Sequence, residues 1–231
     1  MYFRRIALGF VLVIVALGRH VPALAGDVND AIEQRRQQGY SVKTISPIFS
    51  QLLVTGSPQG FVPASEKTRD KFYIRESVPK GETVNHWTQI ITVTGMKDLA
   101  SNPQATPRTV LNNMAAGFKR ACPSSFGAQG LSETPIGGFD AAVAVVSCGV
   151  SPTTAGKTSE TALIAVIKGQ ADFYTIQWAE RAAPSDTPLP IEVKKWSDRF
   201  KEMGPLKLCP IVPGEKAPFP SCVGDGQKKP A

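Results

Sequence analysis

Histidine is nearly absent from this 231-residue chain, and its scarcity excludes several classes of active site. The two histidines are His20 and His86, and His20 falls in an N-terminal segment that we expect to be removed. Sites that need two or three histidines from one chain therefore cannot form. A Ser-His-Asp triad would have to use His86, yet the sequence has no Gly-x-Ser-x-Gly motif. We predict no catalytic residue and interpret His86 as a half-exposed strand residue.

A complete phosphate-binding loop is also missing. Ala155-Gly156-Lys157-Thr158 matches the end of such a loop, but the motif needs a glycine five positions before Gly156, and position 151 is a serine. The stretch lies between two predicted strands, whereas the motif joins a strand to a helix. We therefore predict a polar hairpin loop here, with no cofactor and no metal.

The four cysteines include no Cys-x-x-Cys pair, which argues against a zinc ion held by four thiolates. An even number of cysteines in an exported chain is typical of disulfide bonds. Three pairings are open. We favour Cys122 with Cys148 and Cys209 with Cys222, because the first two flank one block of predicted structure and the last two bracket a proline-rich tail.

Long apolar runs are absent after residue 25, but one precedes it. Arg4 and Arg5 are followed by an almost unbroken apolar run over residues 6–17, and residues 23–25 read Ala-Leu-Ala. This three-part layout is typical of a secretory signal peptide, and the run is short for a membrane span. We expect cleavage near Ala25 and a mature chain without a transmembrane helix, located in the periplasm or secreted.

Strong charge of one sign is lacking as well. Cleavage would leave 23 Lys and Arg against 19 Asp and Glu, a net charge of +4. Ordinary solvated surface charge accounts for this value, so we expect no nucleic acid as a partner.

The first half of the mature chain predicts a short helix and then three strands. The helix spans residues 27–38, and the strands span residues 49–55, 71–78 and 84–94. The turn Pro79-Lys80-Gly81 makes the last two strands a hairpin candidate. A second helix, with a hydroxyl cap at Thr106 and a proline in its first turn, should run to about Arg120.

The second half predicts three strands and a closing helix. The strands span residues 139–148, 161–168 and 172–178, and the first two are apolar on both faces, so both faces of their sheet need cover. The tight turn Gly169-Gln170 predicts that the last two strands pair antiparallel. An apolar stripe along residues 188–203 predicts the closing helix, and an irregular tail begins at Cys209.

We therefore expect an α+β fold with a mainly antiparallel sheet covered by helices. Four segments follow: a signal peptide (1–25), an N-terminal helical segment (26–48), the α+β domain (49–208) and a Pro/Gly/Lys-rich tail (209–231).

The element order over residues 49–203 resembles the PsbP-like fold, and so does the run from Glu76 to Val84 that leads to Trp87-Thr88. That fold is named for an extrinsic photosystem II subunit. The chain is also similar to small exported proteobacterial proteins of uncertain role. The resemblance implies an α/β/α sandwich and transfers no functional residue, since members of such a fold do unrelated work.

Aromatic residues on the predicted strands favour core packing, with a ligand or partner surface as the alternative. We place Trp87, His86, Tyr174 and Trp178 in this candidate surface. Period-2 alternation puts Trp87 on the same face of its strand as Val93, and His86 on the other.

Three functions remain open from the sequence. The first is a non-catalytic accessory protein that binds an envelope protein or a small ligand. The second is a periplasmic hydrolase that uses His86 or two acids, and it requires those groups to converge in one pocket. The candidate acids are scattered along the chain: Glu76, Glu82, Glu133, Asp140, Glu160, Asp172 and Glu180. The third is a structural envelope protein that docks through its tail.

Overall fold

The computed structural model describes residues 43–223, which form ten strands and three helices. The predicted helix over residues 27–38 lies outside the described residues. The strands are β1 (Lys43–Ile48), β2 (Gln51–Gly56), β3 (Phe61–Arg69), β4 (Phe72–Pro79), β5 (Gln89–Met96), β6 (Phe126–Ser132), β7 (Ala141–Cys148), β8 (Ser159–Lys168), β9 (Phe173–Ala182) and β10 (Lys207–Pro210). The helices are α1 (Pro107–Ala121), α2 (Val193–Glu202) and α3 (Pro220–Val223).

Seven strands form the main sheet, in the order β3-β4-β5-β9-β8-β7-β6, and each neighbouring pair is antiparallel. The predicted hairpin of β4 and β5 and the predicted pair of β8 and β9 are both present. The α+β class and the mainly antiparallel sheet are thus confirmed. Within residues 43–223, no helix combines the length and apolar character that crossing a membrane requires.

Strand β8 shows why this sheet needs cover on both sides. Alternate side chains from Leu163 to Ile167 join one hydrophobic cluster, on what we call the first face. The alternate side chains from Ala162 to Val166 join a second cluster, on the second face. All of these residues are buried, so the apolar pattern of the sequence correctly predicted a two-sided core.

Helix α1 packs on the second face. Its N-terminus is capped as predicted: Thr109 N donates to Thr106 Oγ1 at 3.1 Å, and Thr106 N donates to Thr109 Oγ1 at 2.8 Å. These reciprocal bonds satisfy two of the backbone groups that a helix start leaves open. Leu111 and Met114 then pack against the strands.

The first face is covered differently from our expectation of helices on both sides. A small antiparallel sheet, in the order β1-β2-β10, shares that face with α2. Ile48 and Leu53 of the small sheet and Trp196 of α2 belong to the same cluster. The cover is therefore part sheet and part helix, and the predicted arrangement of helices alone is wrong here.

Helix α2 is held to the sheet by stacked rings and charges. The Arg199 guanidinium lies 4.6 Å from the ring centre of Trp196 and 5.0 Å from that of Trp178. Its Nη2 also pairs with Glu180 Oε2 at 2.7 Å, while Lys195 Nζ lies 2.5 Å from Oε1 of the same glutamate. Glu180 is thereby committed to a structural role.

Both favoured disulfides are present. Cys122, directly after α1, bonds to Cys148 at the end of β7, and Cys209 of β10 bonds to Cys222 of α3. The Cα–Cα distances are 5.6 and 5.7 Å, within the ordinary range for a disulfide. The tail from Cys209 is less irregular than predicted, because its first residues pair with β2.

The start of β5 also differs from the prediction. The strand begins at Gln89, five residues later than expected, and the preceding residues form a turn closed by mutual backbone bonds between Thr83 and His86. The turn breaks the period-2 alternation, so Trp87 packs against the second-face cluster, whereas Val93 lies in the first. The predicted common face for these two residues is wrong.

Candidate functional site

The structure divides the four residues of the predicted surface into two pairs. Tyr174 and Trp178 lie in the first-face core and are 0 and 4% exposed, so they offer no surface to a partner. His86 and Trp87 instead line an open groove at one end of the main sheet. The candidate site therefore keeps the pair His86 and Trp87 and loses Tyr174 and Trp178.

This groove, which we call the Trp87 groove, has a volume of about 630 Å³. It lies between the turn before β5 and the loop before β8. Most of its lining residues are of polar or charged type, and the full set is Glu82, Asn85, His86, Trp87, Thr88, Thr153, Thr154, Lys157, Thr158 and Arg181.

The sheet order brings these segments together. Both β5 and β8 pair antiparallel with β9, one on each side, so their first residues lie beside the last residues of β9. Arg181, near the end of β9, is consequently placed between the two loops.

One wall of the groove is the turn over residues 82–88. Glu82 fixes it, because its carboxylate accepts Thr88 N at 2.6 Å and Thr88 Oγ1 at 2.7 Å. Gly81, at φ 95°, supplies the left-handed conformation that starts the turn. Glu82 is thereby occupied in holding the wall, and Asn85 and His86 are exposed at its tip.

The opposite wall is the hairpin loop between β7 and β8, which contains the Ala155-Gly156-Lys157-Thr158 stretch as predicted. Threonine hydroxyls brace this loop: Thr154 Oγ1 and Thr158 Oγ1 are 2.9 Å apart, and Thr158 N donates to Thr154 Oγ1 at 3.1 Å. Lys157 is exposed at the loop tip.

Arg181 joins the two walls. Its guanidinium lies 3.6 Å from the centre of the Trp87 ring, a cation–π contact with one wall. Its Nη2 donates to Thr153 Oγ1 of the other wall at 3.2 Å. Its Nε is buried with no hydrogen-bond partner among the described residues and lies 3.7 Å from Glu160 Oε2.

Of the predicted acids, Glu82 lines the groove together with His86, but its carboxylate is engaged by Thr88. Glu160 and Glu180 lie on neighbouring strands but point to opposite faces, and Glu180 is paired with α2. Glu133 pairs with Arg108 on the surface. Among residues 43–223, no group of three or more His, Cys, Asp or Glu side chains is arranged to hold a metal ion.

Asp172 and Asp140 precede apolar strands, yet they differ in their surroundings. Asp172 is 1% exposed and accepts bonds from Ser50 and from Asp98 N. Asp140 is exposed. Asp172 thus joins three segments of chain and has a structural role.

Comparisons with known proteins identify no family. No family model matches the chain, and no curated protein matches it. A Bacteroides thetaiotaomicron protein of known structure aligns at 15% identity with a TM-score of 0.40, covering 75% of this chain and half of its own length.

Two further solved structures are similar at the same level. The Saccharomyces cerevisiae Ran-binding protein Mog1p aligns at 12% identity and a TM-score of 0.38, covering 72% of this chain and 86% of Mog1p. A point mutant of the protein Mog1 aligns at 13% identity and a TM-score of 0.38, covering 68% of this chain and 84% of the mutant. These values are too low to transfer a function.

From the sequence we placed His86 and Trp87 in a candidate surface, which stays a prediction. Arg181, Thr153 and Lys157, which line the same groove, were not among the residues predicted. Trp87 and Arg181 are 94 positions apart in the sequence, and their contact depends on β5 and β9 being neighbours. A cationic residue at the end of an apolar strand was the one local signal for Arg181, and it carried no information about its partner.

Proposed function

We propose that this chain is an exported, non-catalytic accessory protein of the cell envelope, with a PsbP-like fold, that binds an envelope protein or a small ligand at the Trp87 groove. The observation that carries the proposal is the unused bonding capacity at the rim of the groove. Within residues 43–223, the side chains of Asn85, His86 and Lys157 make no hydrogen bond or ion pair. Such groups are available to an incoming partner.

Pre-organisation of the groove supports the same proposal. Glu82 holds one wall, the threonines brace the other, and Arg181 connects them. A rigid site loses less conformational freedom when it binds a partner, which favours affinity. A polar rim beside a half-buried tryptophan is also a common composition for an interface.

The engaged carboxylates favour binding over hydrolysis. A carboxylate pair for acid and base chemistry needs two groups directed at one substrate position. Here Glu82 holds a turn, Glu180 holds a helix, and Asp172 holds three backbone segments. We therefore do not propose a catalytic role for His86.

The proposal predicts that changing the rim removes binding and leaves the fold intact. The test variant combines Asn85→Ala, His86→Ala and Lys157→Glu, all at exposed positions. Removing two polar side chains and inverting the charge of a third should lower the affinity for a partner by about tenfold or more. Tagged residues 26–231 would be incubated with envelope extract, and the captured proteins and co-purifying small molecules quantified by mass spectrometry.

The matched control is Lys97→Glu, which changes an exposed lysine outside the groove by the same charge. A species captured by the native chain and by the control, but lost from the rim variant, supports the proposal. Equal recovery of every species by all three proteins would refute it.

A further inference from the structure

A second cavity lies on the other side of the loop that forms one wall of the Trp87 groove. It has a volume of about 190 Å³ and lies between α1 and the short turn Pro152–Thr154. Phe118, Cys148 and Pro152 contribute apolar lining, and Glu160 contributes a carboxyl group. We call it the Glu160 pocket. The end of α1 forms one side of the pocket, and the Cys122–Cys148 disulfide holds that end of the helix against β7.

The carboxylate in this pocket is incompletely compensated by its neighbours. The side chain of Glu160 is 17% exposed, its hydrogen bond from Ser151 Oγ spans 3.5 Å, and its ion pair with Arg181 Nε spans 3.7 Å. Both distances are at the long end of their range. Burial raises the pKa of Glu160, and attraction to Arg181 and nearby hydrogen bonds offset this rise only in part. A further hydrogen-bond donor would therefore stabilise the ionised Glu160 carboxylate.

The helix side of the pocket is open because residue 117 has no side chain. Gly117 lies inside α1, where glycine is less favourable than residues with side chains. A Cβ atom built there would meet nothing closer than an Arg120 nitrogen at 4.0 Å. Packing against the protein therefore does not require this glycine, whereas its small size widens the pocket.

We propose that the Glu160 pocket binds a small primary amine, with the ammonium group at the Glu160 carboxylate and an apolar group between Phe118 and Pro152. An anion would face the carboxylate directly. A neutral apolar molecule would remove more water from that carboxylate without supplying a donor, which is unfavourable. An ammonium supplies both positive charge and three donors. This pocket and the Trp87 groove share only Thr153 in their linings, and the inference does not depend on the function proposed for the groove.

The probe is 2-phenylethylammonium, and its neutral counterpart is 2-phenylethanol. A ¹⁵N-labelled protein of residues 26–231 would be titrated with each compound, and the backbone amide chemical shifts followed by NMR. We expect saturable shifts confined to residues around 117–121 and 148–160 for the amine, with affinity about tenfold or more above that of the alcohol, because bonds to charged groups are the stronger class.

Two variants test the assignment independently. Glu160→Gln keeps the shape and removes the charge, so amine affinity should fall to that of the alcohol. Gly117→Leu places a good helix former at the mouth of the pocket, so binding should be lost while the melting temperature is maintained or raised. If Glu160→Gln fails to fold, the Gly117→Leu variant still decides the result. Equal affinity of the native chain for amine and alcohol, an undiminished amine affinity in folded Glu160→Gln, or amine shifts that persist in folded Gly117→Leu would overturn the proposal.

Discussion

Replacement of Asp172 with asparagine is expected to lower the free energy of unfolding by about 2–4 kcal/mol. The Asp172 carboxylate is buried; its Oδ2 accepts Ser50 N at 2.9 Å and Ser50 Oγ at 2.5 Å, and its Oδ1 accepts Asp98 N at 2.8 Å. Asparagine offers one acceptor oxygen, so its NH₂ group must face an N–H or hydroxyl that needs an acceptor. Urea unfolding of the native and variant chains would measure the loss.

Asp140→Asn is the matched control, because Asp140 also precedes an apolar strand but is exposed. Surface substitutions of this kind usually change stability by less than about 0.5 kcal/mol. Similar losses in both variants would show that the hydrogen bonds of Asp172 do not carry the effect.

The same carboxylate predicts a pH dependence. Desolvation raises the pKa of Asp172, but hydrogen bonds from Ser50, Asp98 N and Tyr174 outweigh it and hold the pKa below its ordinary value. A carboxyl group whose pKa is lower in the folded chain stabilises the fold above its unfolded pKa, which is about 4, and that stabilisation disappears as pH falls through the folded value. Melting temperatures should therefore drop more steeply below about pH 4 for the native chain than for Asp172→Asn. Parallel curves would contradict this.

The sequence predicted the interior strands of the fold and missed its edges. All six strands with two neighbours, including β2 and β8, fall on predicted strand runs. The four strands at sheet edges, β1, β3, β6 and β10, were not predicted. The interior strands β7 and β8 are buried on both faces and are apolar throughout most of their length. Edge strands tolerate proline, glycine and charge.

Strands β3 and β6 illustrate the difference in residues. Strand β3 carries Pro63 and ends in the polar run Glu66-Lys67-Thr68-Arg69, and β6 contains two glycines. None of these features is typical of a strand read in isolation. Their pairing depends on a finished neighbouring strand, which supplies hydrogen bonds that local sequence does not encode.

The candidate site was less predictable than the fold, because its parts meet through sheet order. His86 and Trp87 were identifiable as a polar and an aromatic residue side by side. Arg181 contacts Trp87 because β5 is paired with β9. Tyr174 and Trp178, for which the sequence favoured core packing over a surface role, lie in the core. An aromatic residue on a strand gives the same sequence signal whether its face of the sheet is covered or open.

Reduction of both disulfides is the change expected to cost most, about 6 kcal/mol in total. The Cys122–Cys148 bond closes a loop with a sequence separation of 26 residues, and the Cys209–Cys222 bond closes one of 13. Chain-entropy estimates give about 3.5 and about 3 kcal/mol for loops of these lengths. The longer loop should therefore contribute slightly more than the shorter.

The structural consequences of losing the two bonds should differ. The Cys122–Cys148 bond ties the end of α1 to β7, beside the Glu160 pocket. Cys209 and Cys222 instead form a small cluster with Leu52 at the small sheet β1-β2-β10. Removing the first bond should loosen the second-face core, and removing the second should release α3 and β10. Hydrogen exchange of the two double Cys→Ala variants would distinguish these regions.

The stability of the chain with its disulfides reduced indicates whether the fold needs an oxidising compartment. A domain of this size has a total free energy of unfolding of about 5–15 kcal/mol, so a loss of about 6 kcal/mol would leave the reduced chain marginal or unfolded. The urea midpoint of residues 26–231 should fall sharply when a reductant is added, while that of a variant with all four cysteines replaced by alanine should start low and not respond. An unchanged midpoint on reduction would mean that the fold does not need an oxidising environment, and the proposal of an exported protein would lose its main physical support.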